Sequence, residues 1–282
     1  MSRRVGVSPE LLRAWEQRYG LLQPSRSAGG FRLYSNADEA RVQSMQRHLG
    51  AGLSAAEAAR LALAETEFGG ADRRDGPARL EQLSTDLRSA LDRFDEPAAH
   101  AALDRLLAAF RLQTVLRDVV IPYLHELGRR WERGEASVAQ EHFASNLLRG
   151  RLLGLARGWA EATGPRAVLA CAPGEFHDLP LISFGLALAA RGWSITYLGP
   201  DTPIATIKEA LGGLERALVV ISAMTPERFL TVQDELTELA GDLHLALAGA
   251  GATKKLASAT GAALLLDEDP VTAAERVAGA RP

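Results

Sequence analysis

Cysteine, lysine and long apolar runs are all scarce in this chain, and each scarcity closes off a class of protein. Cys171 is the one cysteine among 282 residues, so no internal disulfide can form, as suits a reducing cytoplasm. No uninterrupted apolar stretch reaches about 18 residues, the length that marks a membrane-spanning helix. Arg3 and Arg4 near the amino terminus are not followed by the apolar core of a secretory signal. Lysine occurs only as Lys208, Lys254 and Lys255, so positive charge is almost entirely arginine, and the formal net charge of -3 argues against a general nucleic-acid coat. The charge is unevenly spread. Between Met1 and Tyr34 stand Arg3, Arg4, Arg13, Arg18, Arg26 and Arg32 against Glu10 and Glu16 alone. This local excess reads either as a solvated arginine surface or as a nucleic-acid-binding face.

With 47% apolar residues the chain can fill ordinary globular cores, and its length and Gly/Pro-rich joints predict two or three compact units. Ser8 is a helix N-cap ahead of Leu11, Leu12 and Trp15 at helical spacing, and Gly20 stops that helix. Helices are expected again over 35–49 and 54–63, followed by a linker over 68–78 that contains Gly69, Gly70 and Gly76. From 79 to 163 the period is helical throughout, with Leu103, Leu106, Leu107 and Phe110 on one apolar stripe, as a four-helix bundle requires. From 164 to 282 the period changes. Residues 167–171, 194–198, 217–222, 243–248 and 262–266 are short apolar runs separated by helix-length segments. They predict a flavodoxin-like, Rossmann-like domain of five parallel strands with helices on both faces. Ligands of such sheets bind beyond the carboxyl ends of the strands, which directs attention to the residues after the first, third and fourth runs.

Residues 1–67 carry a more specific pattern. Val7-Ser8-Pro9-Glu10-Leu11-Leu12-Arg13-Ala14-Trp15-Glu16-Gln17-Arg18-Tyr19-Gly20-Leu21-Leu22, followed by Pro24, Arg26 and Gly29-Gly30-Phe31-Arg32-Leu33-Tyr34-Ser35, resembles the MerR family of transcription regulators. The resemblance implies a winged helix-turn-helix head that binds operator DNA. Arg13, Arg18 and Tyr19 would belong to its recognition helix, and Arg26, Arg32 and Tyr34 to a wing that grips phosphates and the minor groove. Only Met1–Gly6 precedes the turn, so this head is expected to be amino-terminally truncated. Trp15 and Tyr34 read equally as core aromatics.

After the first strand, Gly174-Glu175-Phe176-His177-Asp178-Leu179-Pro180 resembles the acid-x-His-x-x-Gly signature of cobalamin-binding domains. The resemblance implies that His177 replaces the cofactor's own base beneath cobalt, with Glu175 and Asp178 beside it and the base tail buried along the sheet. An imidazole suits that role as a nitrogen donor that stays neutral near pH 7, and Glu175 can accept a hydrogen bond from its other nitrogen. Later elements are weaker. Ser222-Ala223-Met224 stands for Ser-x-Leu and Ala248-Gly249 for Gly-Gly, so Ser222, Gly249 and Gly251 are the candidate tail contacts. Pro180 replaces the usual glycine; it suits a first helical turn but removes a backbone donor.

In the helical region, Trp131, Gly134, Val138, Glu141 and His142 resemble the Trp-x9-Glu-His motif of CarH/LitR-type photoreceptor repressors. That resemblance implies that Trp131 packs on an adenosyl group above cobalt, Glu141 bonds its ribose hydroxyls and His142 completes the polar wall, with Val138 a further cofactor contact. Eleven positions bring Trp131 and His142 to nearly the same helical face, although Gly134 is a helix-stop signal. A bundle-core tryptophan beside a buried Glu-His pair is the plainer alternative. Glu132 departs from the pattern, because some CarH-type proteins have histidine directly after the tryptophan.

His48, His100, His125 and His244 lack ligand-like neighbours, and Cys171 reads as a small buried side chain. The resemblances together imply a cytoplasmic, non-enzymatic, light-responsive repressor. It would bind adenosylcobalamin and operator DNA as a dark homo-oligomer, a tetramer by analogy, and release DNA on photolysis. Two alternatives remain at this point: a corrinoid-carrying methyltransferase or mutase component, and a MerR-type regulator that works without cobalamin.

Overall fold

Helix α1 (Pro9–Tyr19) begins where Ser8 caps the Leu11 N–H and Pro9 occupies the first turn, and it ends at Gly20 in the left-handed conformation. In the computed structural model that shows it, residues 5–22, 24–26, 32–50, 54–70, 76–211, 217–266 and 268–280 are described. They fall into two units, Met1–Thr85 with Asp104–Phe110, and Asp86–Leu103 with Arg111–Pro282.

In the first unit, α1 is followed by an antiparallel pair, β1 (Ser25–Arg26) and β2 (Arg32–Leu33), and by α2 (Asn36–Gly50) and α3 (Ala55–Gly70). The glycine-rich tip Gly29-Gly30-Phe31 lies outside the described residues. Ser35 with Asp38 and Ser54 with Glu57 form reciprocal caps that start α2 and α3. Leu12, Trp15, Leu21, Leu22, Val42, Met45, Ala58 and Ala62 make one core, against which Tyr19 and Tyr34 pack. Trp15 is therefore a core residue. Helix α3 runs to Gly70, well past the expected end at Leu63, and α4 (Gly76–Asp92) starts early, so only 71–75, outside the described residues, separate them. Ala64, Glu65 and Glu67 are strong helix formers, and they carry the helix through the expected boundary.

Helix α5 (Glu96–Ala109) follows, with Leu103 and Leu106 buried as the stripe predicts. In the second unit α6 (Leu112–Val115) passes through a π-turn (Leu116–Val120) into α7 (Ile121–Glu132). Ile121 N–H reaches back to Leu116 O just before Pro122, whose missing N–H cannot continue a regular ladder. Gly134, at φ 72°, ends that path, and a Ser137/Gln140 capping box starts α8 (Val138–Leu155). Trp131 and His142 therefore sit on different helices, because the glycine stop prevails over the eleven-residue spacing.

A 3-10 turn (Trp159–Glu161) leads into the sheet of β3 (Arg166–Cys171), β4 (Ser194–Gly199), β5 (Leu218–Ser222), β6 (His244–Ala248) and β7 (Leu264–Leu266). Its order is β4-β3-β5-β6-β7, every pair parallel. Helices α9 (Leu179–Ala189), α10 (Ile204–Leu211), α11 (Pro226–Leu230), α12 (Gln233–Asp242), α13 (Lys254–Thr260) and α14 (Pro270–Gly279) connect and follow the strands. Val168, Val219, Ile221 and Leu247 share one core with Ile207, Leu236 and Leu256 from α10, α12 and α13. Leu169 points the other way, to Gly185 of α9. Burial on both faces explains why β3 and β5 read as unbroken apolar runs. The chain steps from β3 outward to β4 and then back to β5 on the opposite side, so the strand order reverses between β3 and β5. That reversal opens a crevice at their carboxyl ends. Among the described residues no helix is long and apolar enough to cross a membrane.

Candidate functional site

The crevice is occupied by the loop that contains His177. Glu175, 3% exposed, crosses it. Its Oε1 accepts from His177 Nδ1 (2.6 Å) and the His177 backbone N–H (2.8 Å), and its Oε2 accepts from Met224 N–H (2.8 Å) in the loop after β5. Gly174 makes the preceding turn at φ 73°, and its N–H donates to Asp201 Oδ1 at 2.7 Å. Burial alone would raise the Glu175 pKa, but the His177 imidazole and the N–H groups of Met224 and His177 outweigh it and hold the carboxyl down at about 2. His177 moves up, first through its bond to Glu175, against the burial effect, and then through the charges of Glu175, Glu141 and Asp178. With Nδ1 engaged, Nε2 is the nitrogen left to bind a metal, and the ring is 70% exposed.

Asp178, the residue after His177, is turned into the protein. Its side chain is 3% exposed, and Oδ2 accepts from Arg149 Nε of α8 at 2.7 Å and from the Tyr197 hydroxyl of β4. Sequence reasoning singled out neither partner. Arg149 had a signal, standing seven residues and two helical turns after His142 and hence on the same face of α8. Tyr197 had none. Its ring meets Trp159 edge to face at 6.0 Å, and burial and the Asp178 carboxylate both push its hydroxyl pKa upward. Pro180 lies in the first turn of α9, where its missing N–H has no helical partner to lose.

The helical side is more open. Trp131 at the end of α7 is 51% exposed and Val138 at the start of α8 is 55% exposed. Glu141 Oε1 accepts from Ser145 Oγ at 2.6 Å, and its Oε2 lies 3.6 Å from His142 Nε2, whose side chain is largely exposed. Glu132 is exposed. Glu141 and His177 come close enough for their charges to interact, so the two motifs, 36 positions apart in the chain, belong to one neighbourhood.

Ser222, at the end of β5, is buried. Gly249 has φ 87°, and a Cβ there would sit 2.5 Å from Ala223 O; one on Gly251 would sit 2.4 Å from the Thr225 backbone. The close approach of the two loops requires both glycines. Cys171, buried at the end of β3, has its thiol pushed up to about 12, chiefly by burial, which leaves it without thiolate character near neutral pH. Among the described residues no trio of His, Cys, Asp or Glu forms a metal cage.

In the first unit, Arg13 and Arg18 are exposed on α1, and the Arg18 guanidinium lies 5.7 Å from the Tyr19 ring. Arg26 on β1 stands opposite Arg32 on β2. Arg32 Nε is bound by Glu16 Oε2 of α1 at 2.9 Å, a partner that the sequence did not suggest. Tyr34, half-buried, packs on the core.

Residues 1–65 match the MerR HTH family regulatory protein model, and residues 83–153 match the B12 binding domain model. Two repressors of Myxococcus xanthus are similar over most of their length. The HTH-type transcriptional repressor CarH is 32% identical over 83% of this chain and 81% of its own. CarA is 32% identical over 91% and 87%. Among solved structures, the monomethylamine corrinoid protein of Methanosarcina barkeri superposes with a TM-score of 0.60 at 20% identity, covering 71% of this chain and 99% of that one, a likeness of fold. The MerR-type head, the B12-binding helices and the identity that spans both place the chain in the CarH/CarA family of B12-dependent, MerR-type transcription regulators, which are not enzymes.

Proposed function

We propose that this chain is a light-responsive transcriptional repressor with adenosylcobalamin as its chromophore. The observation that carries the reading is His177, whose Nδ1 is tied to a buried carboxylate while its exposed ring leaves Nε2 for a metal. The residues present fit a corrinoid. An oriented imidazole stands at the switch point of a parallel sheet, and exposed Trp131, Val138 and Phe176 offer apolar surface for a large flat ligand.

His177 would bind cobalt from below, with Glu175 fixing its tautomer and raising its basicity. Ser222, Gly249 and Gly251 would line the slot for the base tail, on the analogy of other cobalamin-binding domains. Trp131 and Val138 would cover the adenosyl group, Glu141 would take its ribose hydroxyls and His142 would close the polar wall. When bound, the cofactor supplies a cobalt–carbon bond that light breaks. Trp131, Val138, Glu141 and His142 then lose the group that they hold, and only such a difference in contacts shifts a conformational equilibrium.

In the dark state the filled sites would stabilise a homotetramer. Each head would set α1 in the major groove through Arg13, Arg18 and Tyr19, with Arg26, Arg32 and Tyr34 as the wing. Linking several heads raises their effective concentration on the operator, so disassembly weakens binding steeply. The test is absorbance, molar mass and operator binding of the protein mixed with adenosylcobalamin in darkness, then after green light. The expected result is an oligomer that holds DNA in the dark and loses both properties when lit. A cobalamin complex whose mass and DNA affinity ignore light would overturn the reading.

A further inference from the structure

Asp178 follows His177 directly and stands at the N-cap of α9, yet its carboxylate caps nothing; it is buried and turned to Arg149 and Tyr197. A buried carboxylate needs a cationic partner, and Arg149 supplies it across 29 positions of chain. Arg149 ends a column on α8. Glu141, Ser145 and Arg149 are spaced by four, Ser145 donates to Glu141, and Arg149 donates to Asp178. The helix that presents Glu141 and His142 is thus anchored, two turns further on, to the residue beside His177. Tyr197 is a rigid second support, its ring set against Trp159, which itself packs on Gly185, where a Cβ would sit 2.8 Å from the indole.

We propose that Arg149 and Tyr197 are positioning residues for His177. By holding Asp178 they set the height and angle of the His177 loop against α8, and so the gap that receives a corrinoid. The inference rests on the reading of His177 as the cobalt ligand. A built-in control exists in Glu275 of α14, which accepts from Arg117 of the π-turn and from Arg191, both at 2.8 Å. That tie also joins the helical region to the sheet domain, but it is exposed and involves no residue of the His177 loop. A tie that serves only to hold the helices on the sheet would act alike at either place.

The experiment uses full-length protein with Arg149→Ala, Arg149→Lys, Tyr197→Phe, Arg117→Ala and His177→Ala, titrated with hydroxocobalamin and with adenosylcobalamin in darkness. Affinity, the histidine-ligated absorbance and the thermal midpoint of the cofactor-free protein are read. Arg149→Ala is expected to weaken both cobalamins by about 10- to 100-fold, as losses beside a metal ligand do, and to lower the histidine-ligated fraction. Arg149→Lys restores part of both, Tyr197→Phe has a smaller effect of the same kind, and Arg117→Ala changes only the thermal midpoint. Wild-type affinity and spectrum in Arg149→Ala would overturn the inference, as would equal losses in Arg149→Ala and Arg117→Ala. Should Arg149→Ala fail to fold, Tyr197→Phe, which removes one oxygen, decides by the same two readings. Loss of the histidine-ligated spectrum in His177→Ala with none in the Arg149 and Tyr197 variants would sink this inference alone. An unchanged spectrum in His177→Ala would instead sink the reading on which it rests.

Discussion

The two sides of the candidate site are built differently. On the sheet side, Glu175 and Asp178 are nearly inaccessible, and each bonds partners from separate elements, so the His177 loop is fixed before any ligand arrives. On the helical side, Trp131 and Val138 expose half or more of their surface and His142 is largely in solvent. The contrast teaches a division of labour. A prebuilt lower half loses little order on binding, which favours affinity. An upper half whose apolar groups gain a partner only in the complex favours switching, because its contacts differ between states.

The largest effect expected is from His177→Ala, which removes the ring that Glu175 orients. Cobalamin should lose its histidine-ligated spectrum, and an unchanged spectrum in absorbance titration would move the site elsewhere. Glu175→Gln comes next. It keeps an acceptor for Met224 but loses the charge that fixes the imidazole, so affinity should fall by about 10- to 100-fold.

The same substitution sharpens the comparison through pH. In the cofactor-free protein Glu175 is depressed from 4.5 to about 2, so its contribution to stability is present above 4.5 and is lost as pH falls toward 2. His177 is raised above 6.5, so its contribution is full below 6.5 and is lost as pH rises through the raised value. The pair therefore stabilises most between 4.5 and 6.5. Thermal melts that extend below 4.5 and above 6.5 should show both flanks in the wild type and flatter ones in Glu175→Gln; superimposable profiles would remove the pair from the account.

Trp131→Ala belongs to the open half. With its ring exposed, cofactor-free stability should move by no more than about 0.5 kcal/mol, while the dark oligomer, measured by light scattering, weakens more than cobalamin binding does. Equal losses in all three would make Trp131 a structural residue and erase the contrast. The smallest dark-state effect is expected from Glu132→His. Glu132 is solvent-exposed, so adenosylcobalamin affinity in darkness should hardly change, whereas the illuminated protein should retain cobalamin longer and acquire a second imidazole signal in electron paramagnetic resonance. Two imidazole signals already present in the illuminated wild type would show that the upper half supplies its own ligand, and His142→Ala would then identify it.

Local signals were sufficient for much of this protein. Ser8, Pro9 and Gly20 delimit α1 because caps act within one turn, and the apolar runs mark the strands because a sheet covered on both faces admits little else. Glu175 and His177 could be paired from the sequence alone, since two positions in a loop bring a carboxylate within reach of an imidazole. Gly134 was readable as a stop, but only the folded chain shows that it outranks the helical spacing from Trp131 to His142 and puts the two halves of that motif on separate helices. Nothing local could assign Asp178 to Arg149 and Tyr197, or Arg32 to Glu16. Those carboxylates meet partners from other elements, 16 to 29 positions away, and which partner each meets is decided by how helix and strand pack once the apolar residues have taken their places.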